Sequence, residues 1–280
     1  MQSDERQKII DFLVPYEKFC VTLLGEVLAK SPSIYVVKGN FGEIHGVFSW
    51  WQGSAIRHCL PTVYSKTRLE LERAFEVFFR EHTLKFLFSV VGEFSGTQML
   101  LKLIEEKFSK KPTLSIDYNL MENNRFDSKK NLLGINTQME FSICDKNEID
   151  RIFPIQAAYE KEEVVLTNEK FDDDSSRAKF ENFVEAKAVY LGKINGVCLS
   201  KATITTRAKN YVMLGGVYTV PKYRKHGLAK ALVNHICTQM DLQGKKITLF
   251  VKKENSVALR LYESCGFKTF CDYKIVYYFQ

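Results

Sequence analysis

Two short patterns within residues 217–267 constrain the fold of this 280-residue chain more than any other feature of its sequence. The first runs from the apolar residues 217–220 through a proline turn into residues 224–229, RKHGLA, which predicts a strand followed by the start of a helix. The second, residues 255–267, has alanine, leucine and tyrosine at helical spacing and ends in Gly-Phe, which predicts a helix with its stop signal. Their separation is that of a single βαβα unit.

The start of the first predicted helix is suited to binding an anion. The first N–H groups of a helix have no intrahelical partner, and the aligned peptide dipoles add partial positive charge. Gly227 and Ala229 carry little or no side chain, so a ligand can approach the backbone closely. The surrounding hydrogen-bond donors would be Arg224, Lys225, His226 and Lys230. This environment fits a diphosphate, although a motif so short also occurs at ordinary helix starts.

Read together and in this order, the two patterns resemble the GNAT superfamily of acetyltransferases. The pyrophosphate loop of that family reads Q/RxxGxG/A and its later helix reads NxxAxxxYxxxGF; the sequence matches both, with Ala229 in the last loop position. The element order predicted for residues 138–280, β-α-α-β-β-β-α-β-α-β-β, is that of the GNAT fold. The resemblance implies an acetyl-CoA-dependent N-acetyltransferase, without a metal, acting on a primary amine of a small molecule or peptide.

The individual elements of the C-terminal half follow from periodicity and turn residues. We predict strands over 140–144, 188–194, 196–205, 211–220 and 247–251, helices over 147–159, 175–186, 226–241 and 255–265, and two short strands within 267–279. Asn195-Gly196 predicts a two-residue hairpin between the second and third of these strands.

The first half repeats this order of elements without the motifs. We predict strands over 35–38, 44–50, 57–63 and 86–91 and helices over 66–80 and 95–108. The loop glycine is missing after Pro61, and Lys102 falls where Tyr262 would align. We interpret the first half as a degenerate GNAT-like domain, inactive as a transferase, that shapes the substrate cleft or supports assembly. An unrelated α/β domain with the same order by chance is the alternative.

The polar stretch 121–131 indicates an exposed connection between the halves. The predicted domains are therefore 1–134, a degenerate GNAT-like α/β domain, and 135–280, a GNAT acetyltransferase domain. The predicted fold class is α/β, with the mixed α+β sheet of the GNAT acyltransferase fold in the C-terminal half.

The resemblance also implies roles for particular residues. The strand before the loop would pair with the pantetheine arm of the cofactor and donate an N–H to the thioester carbonyl while the amine attacks directly. Tyr262 is the expected general acid, and Asn255 is expected both to cap its helix and to contact the cofactor. The implied cofactor-binding residues are Val217, Tyr218, Thr219, Val220, Arg224, Lys225, His226, Gly227, Leu228, Ala229, Lys230 and Asn255.

The sequence does not indicate a general base. Many GNAT enzymes carry a glutamate on the strand before the loop, but residues 211–219 contain no acid. Glu160, Glu162 and Glu163 are candidates, as is water, although each glutamate taken singly fits a solvated loop charge. The missing acid favours the alternative function, a non-catalytic acyl-CoA-binding, sensing or protein-interaction module, whereas Tyr262 favours the enzyme.

Composition and charge indicate a cytoplasmic protein. The sequence is 45% hydrophobic without an apolar run of about 18 residues, and residues 1–17 are charged rather than typical of a signal peptide. Its seven cysteines show no zinc-site spacing, which predicts reduced, mostly buried thiols. The net charge of +7 is scattered along the chain, so we expect an anionic cofactor and neither a nucleic-acid nor a membrane partner. A monomer or a homodimer is expected, and the acceptor and acyl-chain preference stay open.

Overall fold

The computed structural model describes residues 3–61, 67–82, 84–123, 139–166 and 170–279, and within them the chain is a mixed α/β fold. Its helices are α1 (Ser3–Leu13), α2 (Val21–Leu28), α3 (Thr67–Glu81), α4 (Phe94–Phe108), α5 (Ile149–Glu163), α6 (Asp173–Glu185), α7 (Leu228–Leu242) and α8 (Ser256–Ser264). Its strands are β1 (Ile34–Lys38), β2 (Ile44–Trp51), β3 (Ala55–Cys59), β4 (Ser89–Glu93), β5 (Leu114–Asn123), β6 (Glu140–Ile143), β7 (Val189–Ile194), β8 (Val197–Arg207), β9 (Tyr211–Thr219), β10 (Lys246–Lys252) and β11 (Lys268–Tyr277).

One eleven-stranded sheet joins the two halves of the chain, in the order β1-β2-β3-β4-β11-β5-β10-β9-β8-β7-β6. The last strand of each half is inserted into the other half. Strand β5 lies between β11 and β10, and β11 lies between β4 and β5, all in antiparallel pairs. Tyr118 and Tyr273 face each other at the centre of this exchange. Because every one of these ladders crosses between the halves, we expect the halves to fold as one unit.

The N-terminal helices also bridge the halves. Residues of α1 and α2 pack in one apolar cluster with Val47 and Cys59 of the first half and with Ala208 and Met213 of the second. Beside this cluster, the buried carboxylate of Glu17 accepts hydrogen bonds from the backbone N–H of Asn210 (2.6 Å), its side-chain amide (2.8 Å) and the N–H of Tyr211 (2.9 Å). A carboxylate with several donors offsets the cost of its burial.

Helices cover both halves of the sheet with separate apolar clusters. Helix α7 packs on β7 to β10 through residues such as Leu232 and Ile236, while α5 and α6 meet β7 and β8 around Phe180. In the first half, α3 and α4 pack on β1 to β4 around Phe48 and Phe75. No helix in the described ranges is both long and apolar enough to cross a membrane.

The predicted repetition of elements is confirmed, and so is the Asn195-Gly196 hairpin, where both residues have positive φ (50° and 73°). The two short strands predicted within 267–279 are wrong, because β11 is one continuous strand paired along β5. The exposed connection predicted over 121–131 is wrong at its start, since Met121 is fully buried in β5. Residues 122 and 123 also belong to β5, while 124–131 and the predicted boundary at 134/135 lie outside the described residues.

Three further predictions in the first half need correction. The strand predicted over 57–63 ends at Cys59, before the proline, and 62–66 lie outside the described residues. The strand predicted from residue 86 begins at Ser89, after a short 3₁₀ turn. When α4 and α8 are aligned on their N-caps, Glu93 and Asn255, the counterpart of Tyr262 is Leu100 rather than Lys102.

Candidate functional site

Strands β9 and β10 run parallel but diverge after a short contact. They pair over three residues each, ending at Met213 and Thr248. On its other side β9 stays paired with β8 as far as Thr219, opposite Ser200. A V-shaped opening therefore separates β9 from β10 beyond Met213. Strand backbone bordering such an opening suits an extended ligand that pairs as an added strand.

A bulge in β9 shapes this opening. Lys201 of β8 pairs with Tyr218 and Thr203 pairs with Gly215, so Gly216 and Val217 lie opposite a single residue of β8. Gly216 has a φ of +57°, a conformation that glycine adopts at little cost. A bulge bends the strand that carries it, which accounts for the divergence of β9 from its parallel neighbour.

The loop between β9 and α7 ends at a helix start with open space above it. A 3₁₀ turn, Pro221–Tyr223, follows the strand, and Gly227 is the N-cap of α7 with a φ of +78° and without a side-chain cap. A Cβ built on Gly227 would meet no described atom within 4 Å. The first N–H groups of α7 therefore face space that a ligand can enter. The helix starts at Leu228, two residues later than predicted.

The predicted loop donors differ in their surroundings. Lys225 is exposed and Lys230 is half-buried. His226 bonds within the loop, since its Nδ1 lies 2.7 Å from the carbonyl oxygen of Arg224 and donates to it. The side chain of Leu228 is buried in the core, so this predicted binding residue can offer a ligand only its backbone. The side chains of Tyr218 and Thr219 are buried as well, so these two residues also offer a ligand only their backbone.

Arg224 is already engaged by helix α5. Its two terminal nitrogens donate to the carboxylate oxygens of Glu162 at 2.8 and 2.7 Å, and its Nε donates to the carbonyl of Thr219 at 3.1 Å. The guanidinium lies over the ring of Tyr218, 5.1 Å from its centroid. The hydrogen bonds from Arg224 hold the pKa of the Glu162 carboxyl below its usual range, so Glu162 is a poorer base than its position suggested.

The end of α5 reaches both sides of the opening. Glu162 contacts the end of β9, where the hydroxyl of Tyr218 donates to it at 3.1 Å. The next residue, Glu163, lies 3.8 Å from Lys252 of β10 and 3.5 Å from the side-chain amide of Asn255. Two adjacent carboxylates therefore span the gap between the diverging strands. The third predicted glutamate, Glu160, accepts a hydrogen bond from Gln156 at 2.6 Å.

Tyr262 and Asn255 lie on α8, on the β10 side. Tyr262 is half-buried, with its ring 5.9 Å from that of Phe267, and burial raises the pKa of its hydroxyl above the ordinary value. The hydroxyl is therefore protonated at neutral pH and able to donate. Asn255 caps the helix as predicted, accepting from the N–H of Ala258 at 3.0 Å.

Sequence reasoning missed two residues beside the bulge. Lys201 is fully buried, its Nζ donates to the carbonyl of Gly216 at 3.0 Å and lies 4.8 Å from the ring centroid of Tyr159. Burial lowers the pKa of Lys201 to about 7. Tyr159 in turn packs 6.2 Å from the ring of Tyr218. A lysine in the middle of the strand predicted over 196–205 was the available signal.

The matching place in the first half is filled. Strands β3 and β4 also run parallel and pair over three residues each. Beyond the pairs, the buried imidazole of His58 packs directly against Gly92 and Gly96, and its Nε2 lies 2.9 Å from the hydroxyl of Thr97. Burial lowers the pKa of His58 to about 3, so the ring is neutral. A side chain thus occupies the position that stays open in the second half.

Comparison with known proteins finds a family match in the second half. Residues 150–267 match the model of the Acetyltransferase (GNAT) family, in agreement with the sequence motifs. Members of this family transfer an acyl group from acyl-CoA. No curated protein matches the sequence.

Solved structures extend the likeness to the whole chain. A GNAT-family acetyltransferase from Colwellia psychrerythraea is 13% identical with a TM-score of 0.58, covering 100% of this chain and 98% of that one. A tandem GNAT protein from the clavulanic acid biosynthesis pathway is 10% identical with a TM-score of 0.59, covering 99% and 95%. A Drosophila protein is 10% identical with a TM-score of 0.66, covering 100% and 97%. At these identities the likeness concerns the fold, and it confirms the GNAT-like architecture predicted for the first half.

Proposed function

We propose that the protein is an acetyl-CoA-dependent N-acetyltransferase that acetylates a primary amine of a small molecule or peptide by direct attack. The observation that carries this proposal is the opening between β9 and β10, which ends at the uncapped start of α7. An extended arm and a diphosphate need these two features, side by side and in this order.

The residues around the opening fit coenzyme A. The backbone of residues 217–220 would pair with the pantetheine arm, and the N–H groups of Leu228 and Ala229 would bind the diphosphate. Open space at Gly227 leaves room for that group, and the exposed Lys225 adds positive charge. Within the described residues, no cluster of three or more His, Cys, Asp or Glu side chains is arranged to hold a metal ion.

The proposed chemistry uses few side chains. The amine attacks the thioester carbonyl, a C–N bond forms, and the C–S bond then breaks. Tyr262 donates its proton to the leaving sulfur, since its hydroxyl stays protonated at neutral pH. The proton of the attacking amine passes to Glu160, Glu163 or water. We exclude Glu162 from the base role because it is ion-paired with Arg224.

In this proposal the first half of the chain binds no cofactor of its own. His58 fills its strand opening, so residues 1–134 would support the active half and border the acceptor side of the cleft. Both a monomer and a homodimer are compatible with one active site per chain.

A non-catalytic acyl-CoA-binding, sensing or protein-interaction module is the second candidate function. Two observations favour it: Glu162 neutralises the loop arginine, and β9 carries no acid. In such a module the Arg224–Glu162 ion pair would respond to cofactor binding, and no acyl group would be transferred.

Thiol release from acetyl-CoA in the presence of a panel of primary amines separates the two functions. The panel should include polyamines, amino acids and peptides with free amino termini or lysines. Amine-dependent release that Tyr262→Phe slows would support the enzyme. Tight acetyl-CoA binding with release no faster than in buffer, for every amine, would support the module instead.

A further inference from the structure

We propose that Lys201 is a positioning residue of the transfer reaction: it fixes the Gly216–Val217 peptide so that the N–H of Val217 faces the thioester carbonyl, and it strengthens that N–H as a donor. The inference rests on the proposed function. It concerns a residue that lies behind the cleft rather than in it.

The contact of Lys201 is with the bulge itself. Its Nζ donates to the carbonyl of Gly216 at 3.0 Å, and a Cβ built on Gly216 would lie 3.0 Å from the same nitrogen. The lysine therefore packs closely against the one residue of β9 whose positive φ creates the bulge. Any drift of this peptide would alter the direction of the strand edge that borders the opening.

Peptide geometry carries the effect across the strand. The carbonyl of Gly216 and the N–H of Val217 belong to one peptide group, and in a trans peptide they point in opposite directions. With the carbonyl of Gly216 directed at the Nζ of Lys201, the N–H of Val217 points away from that nitrogen. In this proposal it is the N–H that meets the ligand. The positive charge of the Lys201 ammonium group, next to the carbonyl oxygen, also polarises the peptide and makes its N–H a stronger hydrogen-bond donor.

The surroundings of Lys201 exclude a direct role as base. The side chain is fully buried beneath the ring of Tyr159 on α5, and its Nζ donates to the backbone carbonyl of Gly216, so it is not exposed to a substrate amine in the cleft. The charged and titratable groups that face it are Tyr159 and Glu160 on α5, Cys198 on its own strand and Cys144 after β6. Burial, the largest effect, opposes the charged form of Lys201, while Glu160 and the two cysteines favour it.

Burying an ammonium group costs free energy that a methionine of similar length would not cost. Packing alone therefore does not explain a lysine at this position. A role that needs the charge next to Gly216 does.

Calorimetry with two ligands tests the proposal, using acetyl-CoA and S-ethyl-CoA, a thioether that lacks the carbonyl. Wild type, Lys201→Met and Lys274→Met are compared. Lys274 is a second buried lysine, on β11, bonded to Ser115 and Asp117 far from the opening. We expect wild type and Lys274→Met to bind acetyl-CoA more tightly than the thioether, and Lys201→Met to bind both equally.

Turnover supplies a readout that a purely structural lysine would not move. In Lys201→Met we expect kcat to fall by roughly ten- to hundredfold, less than for removal of an oxyanion donor, while KM for acetyl-CoA changes by less than about threefold. Because the protonated lysine is the effective form, kcat of wild type should also show a falling limb above about pH 7 that is absent in the variant.

The outcomes are separable. Equal carbonyl preference, kcat and pH profile in wild type and Lys201→Met would overturn the proposal and leave the proposed function intact. Failure of wild type to bind acetyl-CoA would overturn both. If the methionine variant does not fold, Lys201→Gln takes its place and must show the same loss, because its side chain is uncharged and one bond too short to keep the contact with the Gly216 carbonyl.

Discussion

Arg224 and Glu162 form a two-point ion pair, at 2.8 and 2.7 Å, between the loop that precedes α7 and the end of α5. The arginine that the sequence assigned to a diphosphate is thus held by a carboxylate. A bound diphosphate has to share Arg224 with Glu162 or displace it. The ion pair therefore sets part of the cost of cofactor binding.

Glu162→Gln should release Arg224 and increase the affinity for acetyl-CoA. Both partners are partly exposed, so the gain should be modest, about two- to fivefold. Glu181→Gln, which removes one of the two carboxylate partners of Arg177 on α6, serves as the control and should leave the affinity unchanged. Weaker binding by Glu162→Gln would show that the carboxylate helps to form the site rather than competing for it.

Tyr262→Phe should bind acetyl-CoA as wild type does and turn over more slowly, by about 10²-fold, because the proton donor to the leaving sulfur is lost. Stopped-flow or steady-state measurement of thiol release gives the rate of turnover, and calorimetry gives the affinity for acetyl-CoA. Tyr278→Phe, at a buried tyrosine packed in the first half's core, is the control. Turnover that Tyr262→Phe leaves unchanged would remove this residue from the mechanism.

Lys201→Met should change how stability depends on pH. The pKa of Lys201 is about 7 in the folded protein and 10.5 in the unfolded reference, so the unfolded state binds more protons between these values and wild type gains stability as pH rises through this window. From pH 6 to pH 9 the stability of the variant relative to wild type should fall by about 3 kcal/mol, because two pH units above the folded pKa contribute about 1.4 kcal/mol each. Urea unfolding at both pH values measures it, with the exposed Lys179→Met as control. A difference that does not vary with pH would mean that Lys201 keeps an ordinary pKa.

Glu17→Ala should lower the free energy of unfolding by about 3 kcal/mol, because three donors at the start of β9 lose a buried acceptor. The exposed Glu5→Ala is the control and should cost less than about 0.5 kcal/mol. Urea unfolding should show one transition in all three proteins, since β5 and β11 interlock the halves. Two separated transitions in wild type would contradict that interlocking.

The elements nearest the site were predictable because their signals are local. The proline turn, the loop glycine and the spacing of Ala258 and Tyr262 lie within single turns or helices, and the structure places α7 and α8 close to the predicted bounds. The exchange of β5 and β11 was not predictable, because the register of a strand depends on partners more than a hundred residues away. For the same reason β11 was predicted as two strands.

Side-chain relationships across the cleft were the hardest part to predict. Nothing in the sequence spacing joins Glu162 to Arg224, or Lys201 to Gly216, since each pair meets only through tertiary packing. The first half shows the converse: its missing loop glycine was visible in the sequence, but the imidazole of His58 that fills the strand opening was not.

Calorimetric titration with acetyl-CoA tests the assignment of the opening between β9 and β10 most directly, with Gly227→Val compared with Gly244→Val. Both glycines have positive φ and open space around a built Cβ, but they lie at opposite ends of α7, so the backbone strain is matched. We predict one micromolar site per chain, about −8 kcal/mol, in wild type and Gly244→Val, and loss of that site in Gly227→Val. Unchanged binding by Gly227→Val, two sites per chain, or no binding by wild type would contradict this assignment.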